Sequence, residues 1–150
     1  KADGQIYAVT EGNNLVVIDK LSGALTKVAE MPKRTNTLAC SPEGVFYFNE
    51  LGTGRIWSCT LETLNAPVML MEDAYLTEKD PISGDRNGTE GNMGMEYDPN
   101  RNMICWNSHL EILAGSYITY AYYYEIDPAT GAYTRYNDNN NSGFLPESKK

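Results

Sequence analysis

Along most of the chain, apolar and polar residues alternate in short runs, and Gly, Pro, Asn or Asp separates one run from the next. Alternation with period two between turn residues is the pattern of strands that bury one face. No segment sustains a long apolar period of 3.6 residues, so helix is expected to be scarce. The pattern predicts strands at 5–10, 15–19 and 25–30, then 35–40, 45–49, 55–61 and 67–71, then 92–97, 102–107, 117–127 and 132–137.

Two of these stretches are copies of each other. Leu15-Val-Val-Ile-Asp-Lys-Leu-Ser-Gly-Ala-Leu-Thr-Lys-Val28 aligns with Tyr123-Tyr-Glu-Ile-Asp-Pro-Ala-Thr-Gly-Ala-Tyr-Thr-Arg-Tyr136. Ile18, Asp19, Gly23, Ala24 and Thr26 meet Ile126, Asp127, Gly131, Ala132 and Thr134, with Ser22 on Thr130 and Lys27 on Arg135. Each copy reads as a hairpin: a strand ending at Ile-Asp, a turn carrying Ser/Thr-Gly, and a second alternating strand. The glycine suits a turn position with positive φ. The Asp carboxylate suits the amides just beyond it, so Asp19 and Asp127 read as turn residues. A second pair, Leu38-Ala-Cys-Ser-Pro-Glu-Gly-Val-Phe-Tyr-Phe-Asn49 and Met95-Glu-Tyr-Asp-Pro-Asn-Arg-Asn-Met-Ile-Cys-Trp106, aligns without a gap as strand, Ser/Asp-Pro turn, strand. Pro presets φ and cannot sit in a central strand, so it marks the hairpin tip.

The strands group into units at about 4–32, 35–72 and 91–137, followed by a tail at 138–150. The first unit lacks its opening strand. Four short antiparallel strands in units of about 40 to 50 residues match a propeller blade. The Val-Val-Ile-Asp-x-x-Ser-Gly and Tyr-Glu-Ile-Asp-Pro-Ala-Thr-Gly turns resemble those of bacterial YVTN-type and quinoprotein-like propeller repeats. The expected fold is therefore all-β: about three four-stranded antiparallel propeller-type blades forming a partial, open β-propeller in one domain. The Gly-His and Trp-Asp marks of WD repeats and the paired glycines of kelch repeats are absent. The Trp that quinoprotein repeats place after the turn is missing too, with Leu25 and Tyr133 in its neighbourhood, and no cofactor is expected.

Propellers close with about 4 to 8 blades, so three units leave a ring open. The expectation is a fragment of a longer propeller, completed by its remaining blades; completion by a second copy is the alternative. The resemblance also implies an extracellular or cell-surface location. Asn87-Gly-Thr89 and Asn140-Asn-Ser142 fit the glycosylation pattern.

Composition removes some functions. Twenty acids against twelve bases give a net charge of −8, which repels a phosphate backbone, so no nucleic-acid partner is expected. No apolar stretch approaches the roughly 20 residues of a membrane helix, so no membrane span is expected. Cys40, Cys59 and Cys105 lack Cys-x-x-Cys spacing and sit in apolar runs, where they read as buried thiols.

Two connections are long: 73–91, rich in Glu, Asp, Gly and Asn, and 108–116, which holds His109 and Glu111. In a propeller both belong to one face, and long loops on a rigid scaffold carry binding sites. The candidate ligand-binding residues are Asp80, Asp85, Arg86, Glu90, Trp106, His109 and Glu111; no catalytic residue and no metal site is assigned. A cluster of His109 and Glu111 with Asp80 and Asp85 has no ligand spacing behind it. Asp138-Asn-Asn-Asn-Ser-Gly143 opens like a calcium loop but has Lys149 where the bidentate Glu belongs. Tyr117, Tyr120, Tyr122, Tyr123 and Tyr124, with Trp57 and Trp106, read first as blade packing and second as a surface for stacking sugars. The leading function is a non-catalytic binding or scaffold module with a glycan or protein ligand. The rivals are part of a propeller lyase or hydrolase, and a structural spacer.

Overall fold

The computed structural model describes residues 4–74, 94–113, 117–138 and 145–146. Every element among them is a strand. β1 (Ile6–Val9), β2 (Asn14–Ile18) and β3 (Leu25–Glu30) form a first antiparallel sheet. β4 (Leu38–Cys40), β5 (Phe46–Asn49), β6 (Arg55–Cys59) and β7 (Val68–Glu72) form a second. β8 (Met95–Asp98), β9 (Met103–Leu113), β10 (Tyr117–Ile126), β11 (Tyr133–Asp138) and β12 (Leu145–Pro146) form a third. Neighbours in sequence are neighbours in each sheet, so every sheet is a simple meander.

The paired Asp–Gly turns have the same backbone. Asp19 Oδ1 accepts from the amides of Leu21 and Ser22 at 3.0 and 2.7 Å and from Ser22 Oγ at 2.8 Å. Asp127 Oδ1 accepts from the Ala129 amide and Oδ2 from Thr130 Oγ1, both at 2.8 Å. Gly23 and Gly131 have φ of 72° and 73°, and each donates its amide to the carbonyl of its own Asp. Amides aimed at a carboxylate favour its charged form, so both Asp carboxyls lie below their ordinary value.

The three sheets stack face to face in chain order. Leu15 and Met31 pack with Phe46, Phe48, Cys59 and Leu64 between the first and second sheets. Ala39, Tyr47, Ile56 and Met71 pack with Ile104, Trp106, Tyr122, Tyr124 and Ile126 between the second and third. β5 reads Phe-Tyr-Phe-Asn and is buried throughout. Alternate residues of a strand point to opposite faces, so Phe46 and Phe48 serve one interface and Tyr47, stacked on Tyr97 with ring centroids 5.9 Å apart, serves the other. The opening strands β4 and β8 of the second and third sheets lie beside each other.

Three expectations need correcting. The stretch expected as a long loop at 108–116 is strand as far as 113: β9 runs on to Leu113, β10 starts at Tyr117, and Leu113 faces Tyr117 in the ladder. Alternation continues through Ser-His-Leu-Glu-Ile-Leu, and that continuity outweighs the polar residues inside it. The gapless alignment of the Pro hairpins slips on its second strand. Leu38 faces Phe48 whereas Met95 faces Trp106, so Phe48 corresponds to Trp106 rather than to Cys105. The turns differ by one residue, and a shift of one residue exchanges the two faces of a strand. Finally, only Cys59 of the three cysteines is buried; Cys40 and Cys105 are half-buried.

Candidate functional site

Within each sheet the strands alternate in direction, so the sheet-to-sheet connections and the turns after β1, β5 and β9 fall at one end. Hydrogen bonds tie several of these segments together within their units. The Met31 amide donates to the Asn13 carbonyl at 2.9 Å and the Leu51 amide to the Arg34 carbonyl at 2.7 Å. The Asp73 amide donates to the Gly54 carbonyl at 2.9 Å, and the Asn107 amide to the Gly94 carbonyl at 3.0 Å. Asn13, at φ 59°, turns the chain between β1 and β2 and accepts the Thr35 amide on Oδ1 at 3.1 Å.

Asn49, 2% exposed, organises the middle of this end. Its Oδ1 accepts from Thr35 Oγ1 at 2.6 Å, Thr37 Oγ1 at 3.1 Å, and the amides of Asn36 and Thr37 at 3.2 Å each. Its Nδ2 donates to Asn36 Oδ1 at 2.8 Å. A buried amide side chain is costly unless its polar atoms are partnered, and here the chain entering β4 supplies the partners. Beside it, Glu50 accepts from Trp57 Nε1 at 3.0 Å and lies 3.8 Å from Arg55 and 3.9 Å from Lys33. Arg55 also binds Glu72 at 2.9 Å.

A second cluster spans the second and third sheets. Asp73, 4% exposed, accepts from the Tyr124 hydroxyl at 2.9 Å and from Arg135 Nη1 at 2.8 Å on the same oxygen. Arg135 also lies over the Tyr122 ring, 5.3 Å from its centroid. Burial, and after it the neighbouring Asp73 charge, pushes the Tyr124 phenol well above its ordinary value, so it stays protonated and donates. Ser108 Oγ, cross-strand from Tyr122, is buried without a hydrogen-bond partner among the described residues.

The sequence-predicted site residues distribute unevenly over this frame. Trp106 is 1% exposed and packs against Tyr124 at 4.9 Å between ring centroids, inside the core. His109 and Glu111 are in β9, facing Ala121 and Thr119 of β10. From Leu110 to Leu113 the ladder of described residues has two strands only, because β8 pairs as far as Trp106 and β11 as far as Ala121. Asp80, Asp85, Arg86 and Glu90, with most of the 73–91 connection, lie outside the described residues, as do the 140–142 glycosylation pattern and most of the 138–150 tail. Among the described residues there is no group of three His, Cys, Asp or Glu that could hold a metal ion. No helix among them is long and apolar enough to cross a membrane.

Sequence reasoning missed Thr35, Thr37, Asn49, Asp73 and Arg135. The available signal was polar residues abutting apolar strands at the ends where connections begin. That signal is shared by ordinary turns, and only cross-sheet packing separates the two. Burial raises the Cys59 thiol to about 11, which keeps it protonated and unreactive. The sequence matches neither any known family nor any curated protein with which it was compared.

Proposed function

We propose that the three sheets are consecutive blades of an open β-propeller and that the protein is a non-catalytic binding or scaffold module of an extracellular bacterial surface protein. The observation that carries this reading is the stacking: three meanders in chain order, a middle sheet apolar on both faces, and opening strands brought together. Blades of a propeller need that arrangement to bury their faces. The ring is completed by further repeats or by a second copy. The ligand is a glycan or a protein, met at the connection end and by the two-stranded ribbon beyond His109. At that end Asn49 is held by Thr35, Asn36 and Thr37, and Glu50 and Glu72 are engaged by Arg55. Side chains already held in place by their neighbours suit the recognition of a ligand.

A glycan array and a pull-down with the intact protein test the binding reading. Excising Leu110–Tyr120 and rejoining His109 to Ala121 through Asn-Gly, which favours a tight hairpin turn, removes the ribbon and leaves the core pairs in place. Binding is expected to be lost with the unfolding midpoint unchanged. A trimmed protein that binds as before removes the ribbon from the site, and no binding by the intact protein leaves the spacer reading. His109→Ala or Glu111→Ala abolishing a measured turnover would establish the enzyme instead.

A further inference from the structure

The second and third sheets present the same register positions to the sheet before them. In the third sheet the cross-strand rows Ile104–Ile126–Tyr133 and Trp106–Tyr124–Arg135 look toward the middle sheet. In the middle sheet the corresponding rows begin Phe46–Cys59 and Phe48–Trp57, and they pack on the first sheet. The first sheet repeats the rows as Ile6–Ile18–Leu25 and Ala8–Val16–Lys27. Ile6, Val16 and Leu25 belong to neither core cluster; Val16 is 5% exposed, whereas Ile6 and Leu25 are 46% and 59% exposed.

Two further positions agree. A Cβ on Gly131 would lie 1.9 Å from the carbonyl oxygen of Leu70, so the last strand of the preceding sheet crosses directly over that turn. A Cβ on Gly23, in a turn of the same shape, would meet nothing within 4 Å among the described residues. Arg135 reaches across to Asp73 at the end of the preceding sheet's last strand. Among the described residues its counterpart Lys27 pairs with Glu30 of its own strand, at 3.0 Å, with a side chain 53% exposed.

We infer that the outer face of the first sheet is a docking surface for one more antiparallel sheet of this repeat, carried by the same polypeptide. That sheet runs its last strand over Gly23 and places a carboxylate near Lys27. The inference rests on reading the sheets as consecutive units, because both existing interfaces join units consecutive in the chain. A second copy docking by its third sheet does not fit. The free face of that sheet carries the Arg101–Glu125 ion pair and the Tyr136 hydroxyl bonded to Glu125, and burying an ion pair against apolar side chains is unfavourable.

The test is side-chain footprinting with a photogenerated carbene, without ligand. It compares the intact protein from its natural source with the 150-residue chain at low concentration. Labelling of Ile6, Ile18 and Leu25 is expected to be strong in the chain and to fall, in the intact protein, to the level of Phe46 and Phe48. Equal labelling in the two overturns the inference. Labelling of the chain that disappears as its concentration rises shows a second copy on this face and overturns it as well. Because no ligand takes part, the outcome is independent of whether the connection end binds a glycan or a protein.

Discussion

Gly23 and Gly131 form a natural pair for testing how the second and third sheets pack. Both sit at the same place in the same turn with φ near 72°, so alanine at either is strained by about 1–2 kcal/mol. They differ in surroundings. At Gly23 a new Cβ meets open space. At Gly131 it would stand 1.9 Å from Leu70 O and 3.0 Å from Leu70 C, where ordinary contact begins at 3.4 Å. The obstacle is backbone of β7, which cannot swing aside as a side chain does. The sheets must separate locally, and overpacking of that kind costs about 1–3 kcal/mol. Gly131→Ala is therefore expected to lose roughly that much more than Gly23→Ala. With an m value of ~2 kcal/mol/M, the difference is about 0.5–1.5 M in the urea midpoint. Asparagine separates the two terms, because it tolerates positive φ but still carries a Cβ. Gly23→Asn is expected to stay close to wild type, and Gly131→Asn to remain destabilised. Tryptophan fluorescence follows the transition, since Trp106 lies in the affected interface. Equal midpoints for Gly23→Ala and Gly131→Ala would refute the close approach of β7 to the turn, and with it the stacking on which the functional proposal stands.

Removing the carboxylate in Asp73→Ala leaves the half-buried Arg135 guanidinium without that partner. It is expected to cost about 3–5 kcal/mol in urea unfolding, and a loss below 1 kcal/mol would mean that the pair is solvated. Asp19 and Asp127 have lowered carboxyl values in the fold, so the stability they supply is complete above the ordinary carboxylate value of 3.8 and disappears as pH falls through their folded values. Urea midpoints between pH 6 and 2 should show a smaller acid loss in the double variant Asp19→Asn, Asp127→Asn than in the wild type; parallel curves would contradict the turn geometry. At the alkaline end, burial raises the Cys59 thiol to about 11 and the Tyr47 phenol to about 12, the latter with a further push from Tyr97. Unfolding releases these protons, so stability holds up to the ordinary values of 9 and 10 and then declines as pH climbs toward 11 and 12. Phenolate absorbance of Tyr47→Phe against wild type reads this directly, and a Tyr47 that ionises near 10 would argue against its burial between the sheets.

Much of the architecture was legible because the features that encode it are local. An Asp followed by Ser or Thr and Gly carries its own turn: the carboxylate reaches amides two and three residues on, and the glycine accepts the positive φ. Alternation then assigns strands without reference to any distant residue. The expected units came from those two signals; the described strands form three antiparallel sheets, β1–β3, β4–β7 and β8–β12, in chain order.

Which face each strand turns inward, and which polar residues go inward with it, depended on contacts between sheets. A one-residue difference between the Pro turns moved Trp106 into register with Phe48, and nothing in the local composition of either turn announces it. His109 and Glu111 looked like loop residues because they are polar, yet the pairing of β9 with β10 holds them in a strand. Asp73 and Arg135 are 62 positions apart in the chain and meet only because the second and third sheets stack. The sequence by itself determined the turns, the strands and their order, since each follows from the chain's own torsions and hydrogen bonds. The tertiary structure decided the faces and the buried polar clusters, because burial is a property of what another sheet places opposite.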